Sequence, residues 1–283
     1  MIQPLAYVHP QAKVANTVIL DPFVTIEKNV EIGEGTWIGH HATIMEGARI
    51  GKNCRIFPGA VISAIPQDLK FDGEETTVEI GDNTTIREFV TVNRGTRASY
   101  KTVIGKNCLL MAYVHVAHDC VIGNNVILAN AATLAGHIEI DDYAIVGGLA
   151  AVHQFVKIGA HSMISGGGMA RKDIPPYTKA AREPLSYVGV NSIGLRRRGF
   201  TNEQINQIQE IYRIIYRKNY NVSQAVNIIE ADVPATPERD EILTFIASSA
   251  RGIMKGYTSL FSNNKEQRLN SELRTHKLYR PKA

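Results

Sequence analysis

Cysteine is scarce in this sequence. Its three residues, Cys54, Cys108 and Cys120, are odd in number and lack metal-ligand spacing. That argues against a disulfide framework and suits free thiols in a reducing compartment. No apolar run approaches the roughly 18 residues needed to cross a bilayer. The N-terminus, Met1–Pro10, lacks a basic segment followed by an apolar core, so no secretion signal is read there. These absences predict a cytoplasmic protein without membrane insertion.

With 44% hydrophobic and 20% charged residues, the composition is that of a globular chain of one large domain or two ordinary ones. The net charge of +4 is unevenly placed: residues 1–195 are close to balanced and residues 196–283 are strongly basic. Such a part either faces an anionic ligand or acidic protein, or is an ordinary solvated surface.

The dominant feature is a six-residue period. Stepping by six from Val8 to Ile164 visits 27 positions, and 24 of them hold Val, Ile or Leu. The exceptions are Asp68, Glu74 and Ala98. A second tier of small residues follows four positions later, as at Val18, Ala42, Cys54, Val114, Cys120 and Ala132. Turn formers follow the aliphatic, as in Ile32-Gly33, Ile104-Gly105 and Ile122-Gly123. A period of six matches neither the 3.6 of a helix nor the alternation of a hairpin strand. It fits a parallel β-helix in which each hexad is one side of a triangular coil. Coils then stack at roughly 4.8 Å.

Two stretches break the period, 65–78 and 95–102, and read as loops pushed out of the prism; long excursions from a solenoid are usually functional. Beyond Ile164 the pattern decays. Thr201 with Gln204 resembles a capping box before Ile205, Ile208, Ile211, Tyr212 and Ile215. Ser223 is read as the cap of a short helix carrying Val226 and Ile229. Thr236-Pro237-Glu238 is read as the start of a helix reaching Ile253. The expected domains are 1–190 for the β-helix, 191–262 for an α-helical C-terminal domain and 263–283 for a polar tail with little to bury.

Residues one coil apart lie one above the other, so His118 is expected beneath Gly136 and Gly136 beneath Gln154. His115 and His137 join the same edge, close to both loops. Three readings stay open on this basis. His118 is a general base with a backbone N–H nearby for an oxyanion; the histidines bind zinc; or they are structural corner residues.

The hexad pattern resembles the hexapeptide-repeat, left-handed β-helix family, whose members are mostly homotrimeric acyl- and acetyltransferases with sites between adjacent prisms. More specifically, the segments Gln67–Lys70, Asn93–Thr96, Ala117–Cys120, Leu134–His137, Ala151–Phe155 and Gly194–Phe200 resemble, in this order, those of the UDP-N-acetylglucosamine O-acyltransferases. The resemblance implies an all-β left-handed parallel β-helix followed by a small α-helical domain. It also implies transfer of a 3-hydroxyacyl chain from acyl carrier protein to the sugar 3-hydroxyl in lipid A biosynthesis. His118 falls at the base position, Asp119 at a supporting one, and the Gly136 N–H at the oxyanion donor. Asp68, Lys70, His115, His137 and Gln154 fall at substrate-contacting positions, and Asn191, Arg197 and Arg198 at the nucleotide end. Gly166 falls where side-chain bulk sets acyl length, and glycine there implies room for a long chain. Asn93 and Ile193 depart from the family's usual His and Glu. The expected partners are two further copies of the chain, acyl carrier protein and UDP-N-acetylglucosamine. No cofactor, metal or nucleic acid is expected. The alternatives are the related N-acyltransferase, action on a 3-amino UDP-sugar, and a non-catalytic scaffold. The N-acyltransferase carries an additional N-terminal domain for which hexads beginning at Val8 leave no room.

Overall fold

The hexads fold as very short strands because each places one aliphatic inward and its neighbour outward, and a corner follows at once. Strands such as Thr25–Ile26, His115–Val116 and Val121–Ile122 are two residues long. Their inward members Ile26 and Val116 have no exposed surface. The computed structural model describes residues 5–217 and 220–256. Among them, strands fall into three sheets. The first has nine strands, from Tyr7–Val8 to Met169–Ala170; the second has eight, from Lys13–Val14 to Lys157–Ile158. The third has ten, from Ile19–Leu20 to Ser186–Val190. Every pairing is parallel except the closing one, where Thr178–Ala181 meets Ser186–Val190 antiparallel. The chain therefore winds as a parallel β-helix of triangular section, with its core along the axis.

Stacking register follows the period. Tyr7 pairs with Thr25 and His115 with Thr133, one coil apart. The interruptions lengthen it: Val61 pairs with Thr91, two hexads beyond one coil, and Thr91 with His115, one hexad beyond. The first excursion leaves after Val61–Ala64 and returns at Thr77–Ile80; the second leaves after Thr91–Asn93 and returns at Lys101–Ile104. Both leave the first sheet and return to the second. They therefore emerge along one edge of the prism, called here the first edge. Asp68, Glu74 and Ala98, the three breaks in the aliphatic tier, lie in these excursions.

Corners turn on residues with left-handed backbone, such as Asp119 (φ 59), Asn125 (φ 57) and His137 (φ 60). Asn and Asp tolerate this conformation through local hydrogen bonding. At His137 and Phe155 the strain is offset by stacking, with ring centroids 4.7 Å apart.

Among the described residues four helices follow the prism: α1 (Ser192–Arg197), α2 (Asn202–Arg217), α3 (Val222–Asp232) and α4 (Pro237–Ser248). The capping box read at Thr201 is present, with reciprocal bonds to Gln204. Ile205, Ile208, Ile211, Tyr212 and Ile215 form its buried face, and the Tyr212 hydroxyl donates to Pro176 O at 2.6 Å, tying α2 to the end of the prism. Two expectations need correction. The cap of α3 is Asn221, not Ser223: its side chain accepts from Gln224 N and Gln224 reaches back to it. A box needs its partner three residues on, and only Asn221 has one. Thr236 does cap α4, but the helix ends at Ser248, so Ile253 lies outside it and bridges to Asp173 instead. The tail expected from Asn263 lies outside the described residues. No described helix is long and apolar enough to cross a membrane.

Candidate active site

The first edge gathers most of the predicted residues. His118 sits on the corner between strands His115–Val116 and Val121–Ile122, and Gly136 lies on the next coil directly against its ring. A Cβ added at Gly136 would fall 2.6 Å from His118 Cε1 and 2.8 Å from Nε2. Only glycine leaves room for the imidazole in this position. The following peptide clamps the two coils together, His137 N donating to His118 O at 3.1 Å. The Gly136 N–H itself has no acceptor among the described residues.

His118 is almost fully buried, and its Nδ1 lies 2.8 Å from Asp119 Oδ2. The carboxylate holds a full set of donors. Oδ1 accepts from Thr96 N at 3.0 Å and Ser99 Oγ at 2.5 Å, while Oδ2 accepts from Thr96 Oγ1 at 2.7 Å. Burial alone would raise the Asp119 carboxyl; the bonds from Ser99, Thr96 and His118 outweigh it and hold the group below the usual carboxylate range. An ionised Asp119 can only accept, so the proton of the His118 pair is on Nδ1. Nε2 is left as the free acceptor, with no partner among the described residues.

The neighbouring histidines differ. His115 faces Thr91 Oγ1 at 2.7 Å, and desolvation, then repulsion by His118, lowers its pKa. His137 meets His118 edge-on at 5.0 Å and is likewise lowered, chiefly by burial, against the pull of Asp119 and Asp68. Asp68, on the first excursion, is near enough for its charge to act on His137, and its carboxylate accepts from Lys70 N at 3.0 Å. Lys70 and Gln154 are exposed at the rim.

His118, Asp119 and His137 hold ligand atoms within 4.8 Å of one another, the spacing of a metal site. The donor set argues otherwise. Four hydrogen bonds fill the acceptor positions of Asp119, and a cation would have to displace them. Cys120, next in sequence, is no nucleophile: it is fully buried, and desolvation pushes its thiol up to about 12.

Other predicted residues lie elsewhere. Asn191 is buried under α1 and donates to His161 O at 2.9 Å, on the edge between the second and third sheets. Arg198 lies over the Tyr143 ring at 5.3 Å on that same second edge, and its Nη1 is buried without a partner. Arg197 is exposed. Gly166 lies on the third edge, between the third and first sheets. Asn93 is buried and donates to Ile65 O at 3.1 Å, pinning the base of the first excursion; Ile193 is exposed. Sequence reasoning missed Thr96, Ser99 and Phe155. Phe155 was legible, one coil beyond His137; the two hydroxyls were not, because the period says nothing about how an excursion folds back.

Residues 173–254 match the model described as UDP-N-acetylglucosamine O-acyltransferase domain 2, and residues 101–136 that of the bacterial transferase hexapeptide. Residues 2–103 match the GMPPB C-terminal domain. An acyl-[acyl-carrier-protein]–UDP-N-acetylglucosamine O-acyltransferase of Thermodesulfovibrio yellowstonii is 44% identical over 90% of this chain and 99% of its own. The chain belongs to this family. It is an acyltransferase with the family's left-handed parallel β-helix. The crystal structure of the Bacteroides fragilis UDP-N-acetylglucosamine acyltransferase, 55% identical, superposes with a TM-score of 0.89 over 90% of this chain and all of that one. That of the Francisella novicida enzyme, 42% identical, gives 0.88 over 90% of this chain and 94% of its own.

Proposed function

We propose that the protein transfers a 3-hydroxyacyl chain from acyl carrier protein to the 3-hydroxyl of UDP-N-acetylglucosamine, in lipid A biosynthesis in the cytoplasm. Family membership supports the reaction, and the 2.8 Å contact between His118 Nδ1 and Asp119 Oδ2 carries the mechanism. The sugar hydroxyl gives its proton to His118 Nε2 as its oxygen attacks the thioester carbonyl. The developing oxyanion is met by the Gly136 N–H. Collapse expels the carrier thiolate, which takes the proton back from the imidazolium and leaves as thiol. No acyl-enzyme is required, in keeping with the buried, neutral thiol of Cys120.

Asp68 and Lys70 on the first excursion, with His115, His137 and Gln154, are assigned to the sugar and acyl head. Asn191, Arg197 and Arg198 are assigned to the nucleotide end, Arg197 by direct contact and the other two by fixing α1 beneath it. Gly166 is assigned to acyl-chain length. Within one protomer Gly166 and Asn191 are on different edges from His118. That separation supports a homotrimer in which the first edge of one copy faces another edge of its neighbour. Phe23, Phe89, Tyr113 and Leu149 line the third edge and are 52%, 53%, 63% and 75% exposed, an apolar stripe suited to such a contact. The exposed Arg196 on α1, in the basic C-terminal part of the chain, suits an acidic carrier protein.

The test is His118→Ala, assayed with carrier-protein thioesters and both the 3-hydroxy and 3-amino sugars. Turnover should fall at least about a hundredfold, the usual worth of a general base. Near-normal turnover would remove His118 from the mechanism.

A further inference from the structure

The second excursion, residues 94–100, does not close over the site as a lid; it folds back beneath it. Its buried residue Thr96 presents both its N–H and its hydroxyl to Asp119, at 3.0 and 2.7 Å, and Ser99 adds a hydroxyl at 2.5 Å. The direction of these bonds is fixed. Thr96 Oγ1 also accepts from Ala98 N at 3.2 Å, so its single proton is free for the carboxylate. Ser99 Oγ lies 3.0 Å from Lys101 O as well, but the anionic oxygen is both nearer and the stronger acceptor. From the other side Thr102 Oγ1 accepts from Asp119 N at 2.9 Å, holding the left-handed corner at φ 59.

We infer that Thr96 and Ser99 are positioning residues that set the basicity of His118 through Asp119. The inference rests on His118 being the base. Three donors besides His118 draw charge from the carboxylate, so Asp119 orients Nδ1–H without holding the imidazolium tightly. That leaves Nε2 unprotonated and ready to accept. Removing a donor leaves more charge on Asp119 and tightens its hold on a protonated ring. The groups facing His118 from all sides are few. Asp119 and His115 come from its own coil, and His137 from the next. Asp68 faces His137 from the first excursion, and Arg94 on the coil below turns away to Glu46 O and the Phe71 ring. Among these, only Asp119 bonds to His118 through its side chain.

Ser99 is exposed, so Ser99→Ala removes one hydroxyl without disturbing packing; Thr96→Val removes the other at nearly constant volume. The readouts are the acid limb of the kcat/KM pH profile and the titration of His118 followed by NMR of its ring, with thermal melting as the folding control. Each variant should move the acid limb and the His118 titration upward by about half a unit to one unit, and the double variant further. Ser99→Thr and Thr96→Ser, which keep the hydroxyls, should restore the wild-type profile. A folded Ser99→Ala whose limb and titration coincide with wild type would overturn the inference while leaving His118 as base. Near-normal turnover in His118→Ala would overturn the base itself, and this inference with it.

Discussion

Gly136 and His118 are in direct contact across one strand spacing, with the glycine backbone lying where any side chain would meet the imidazole ring at 2.6 Å. A stacked coil has no freedom to move one corner away from the next, because His137 N and His118 O fix their separation. Gly136→Ala must therefore push the ring off Asp119, off Nε2's approach to substrate, or both. Turnover should fall by about a hundredfold or more, since misplacing a reactive group by an ångström is that costly. The melting temperature should change little, because the displaced ring is at the edge of the prism. Steady-state kinetics beside a thermal melt checks this; an alanine variant with wild-type kcat would mean that the ring contact is not used.

A pH effect on stability is expected from a group outside the chemistry. His161 lies on the second edge, stacked between Tyr143 and Tyr177 at 4.8 and 5.6 Å. Burial, then the nearby Arg198 charge, lowers its pKa to about 4. The unfolded ring titrates near ~6.5, so between that pH and about 4 the unfolded chain binds the extra proton. Stability must then fall as pH drops through this window and level off below it. With part of the ring still solvated, the loss is on the order of 1 kcal/mol. His161→Phe keeps the stack and should flatten this part of the stability–pH curve, measured by denaturant unfolding at pH 7 and pH 4.5. An unchanged slope would show that the ring is free to protonate when folded.

How much of the fold and of the site is legible in the amino-acid sequence follows from the physics of each part. The hexad specifies the sheets, the corners and the column His118–Gly136–Gln154, because stacking converts sequence separation directly into spatial neighbourhood. It locates the excursions by the missing aliphatics at Asp68, Glu74 and Ala98, but not their shape. Thr96 and Ser99 reach Asp119 only because residues 94–100 curl under the corner, a matter of local loop geometry with no periodic signature. Asn191 and Arg198 carry a family motif whose letters say nothing of burial; one donates to His161 O and the other lies on Tyr143. The α3 cap is legible in principle, since Asn221 and Gln224 have the box spacing that Ser223 lacks.

Acyl length should respond to the third edge. A Cβ at Gly166 would meet Gly148 O at 3.1 Å, a tight contact that a shift of a few tenths of an ångström must relieve, so a side chain there takes space from whatever lies along the third edge. Gly166→Met is expected to lower turnover with a long 3-hydroxyacyl thioester by about tenfold or more, and with a ten-carbon one by much less; one methylene shut out of an apolar pocket is worth about 1–3 kcal/mol. Competition between two thioesters in one assay measures the ratio. An unchanged ratio would take Gly166 out of chain selection.

The apolar stripe on the same edge gives the last expectation. Leu149 is 75% exposed and contributes nothing to the core of its own protomer, so its substitution tests assembly without testing folding. Phe89 and Tyr113, stacked at 5.4 Å, continue the stripe toward the N-terminal coils. Placing a charge in the middle of such a contact leaves it buried and unpaired when copies associate, a penalty of several kcal/mol at each of the equivalent interfaces. Leu149→Arg should therefore sediment as a smaller species than wild type at the same concentration. Its far-ultraviolet spectrum should remain that of the folded β-helix. Because Gly166 and His118 stand on different edges of one protomer, dissociation should also remove turnover, even though every residue of the His118–Asp119–Gly136 cluster is untouched. A variant that sediments as a monomer yet keeps full activity would show that one prism holds the whole site, and would overturn the assignment of the third edge.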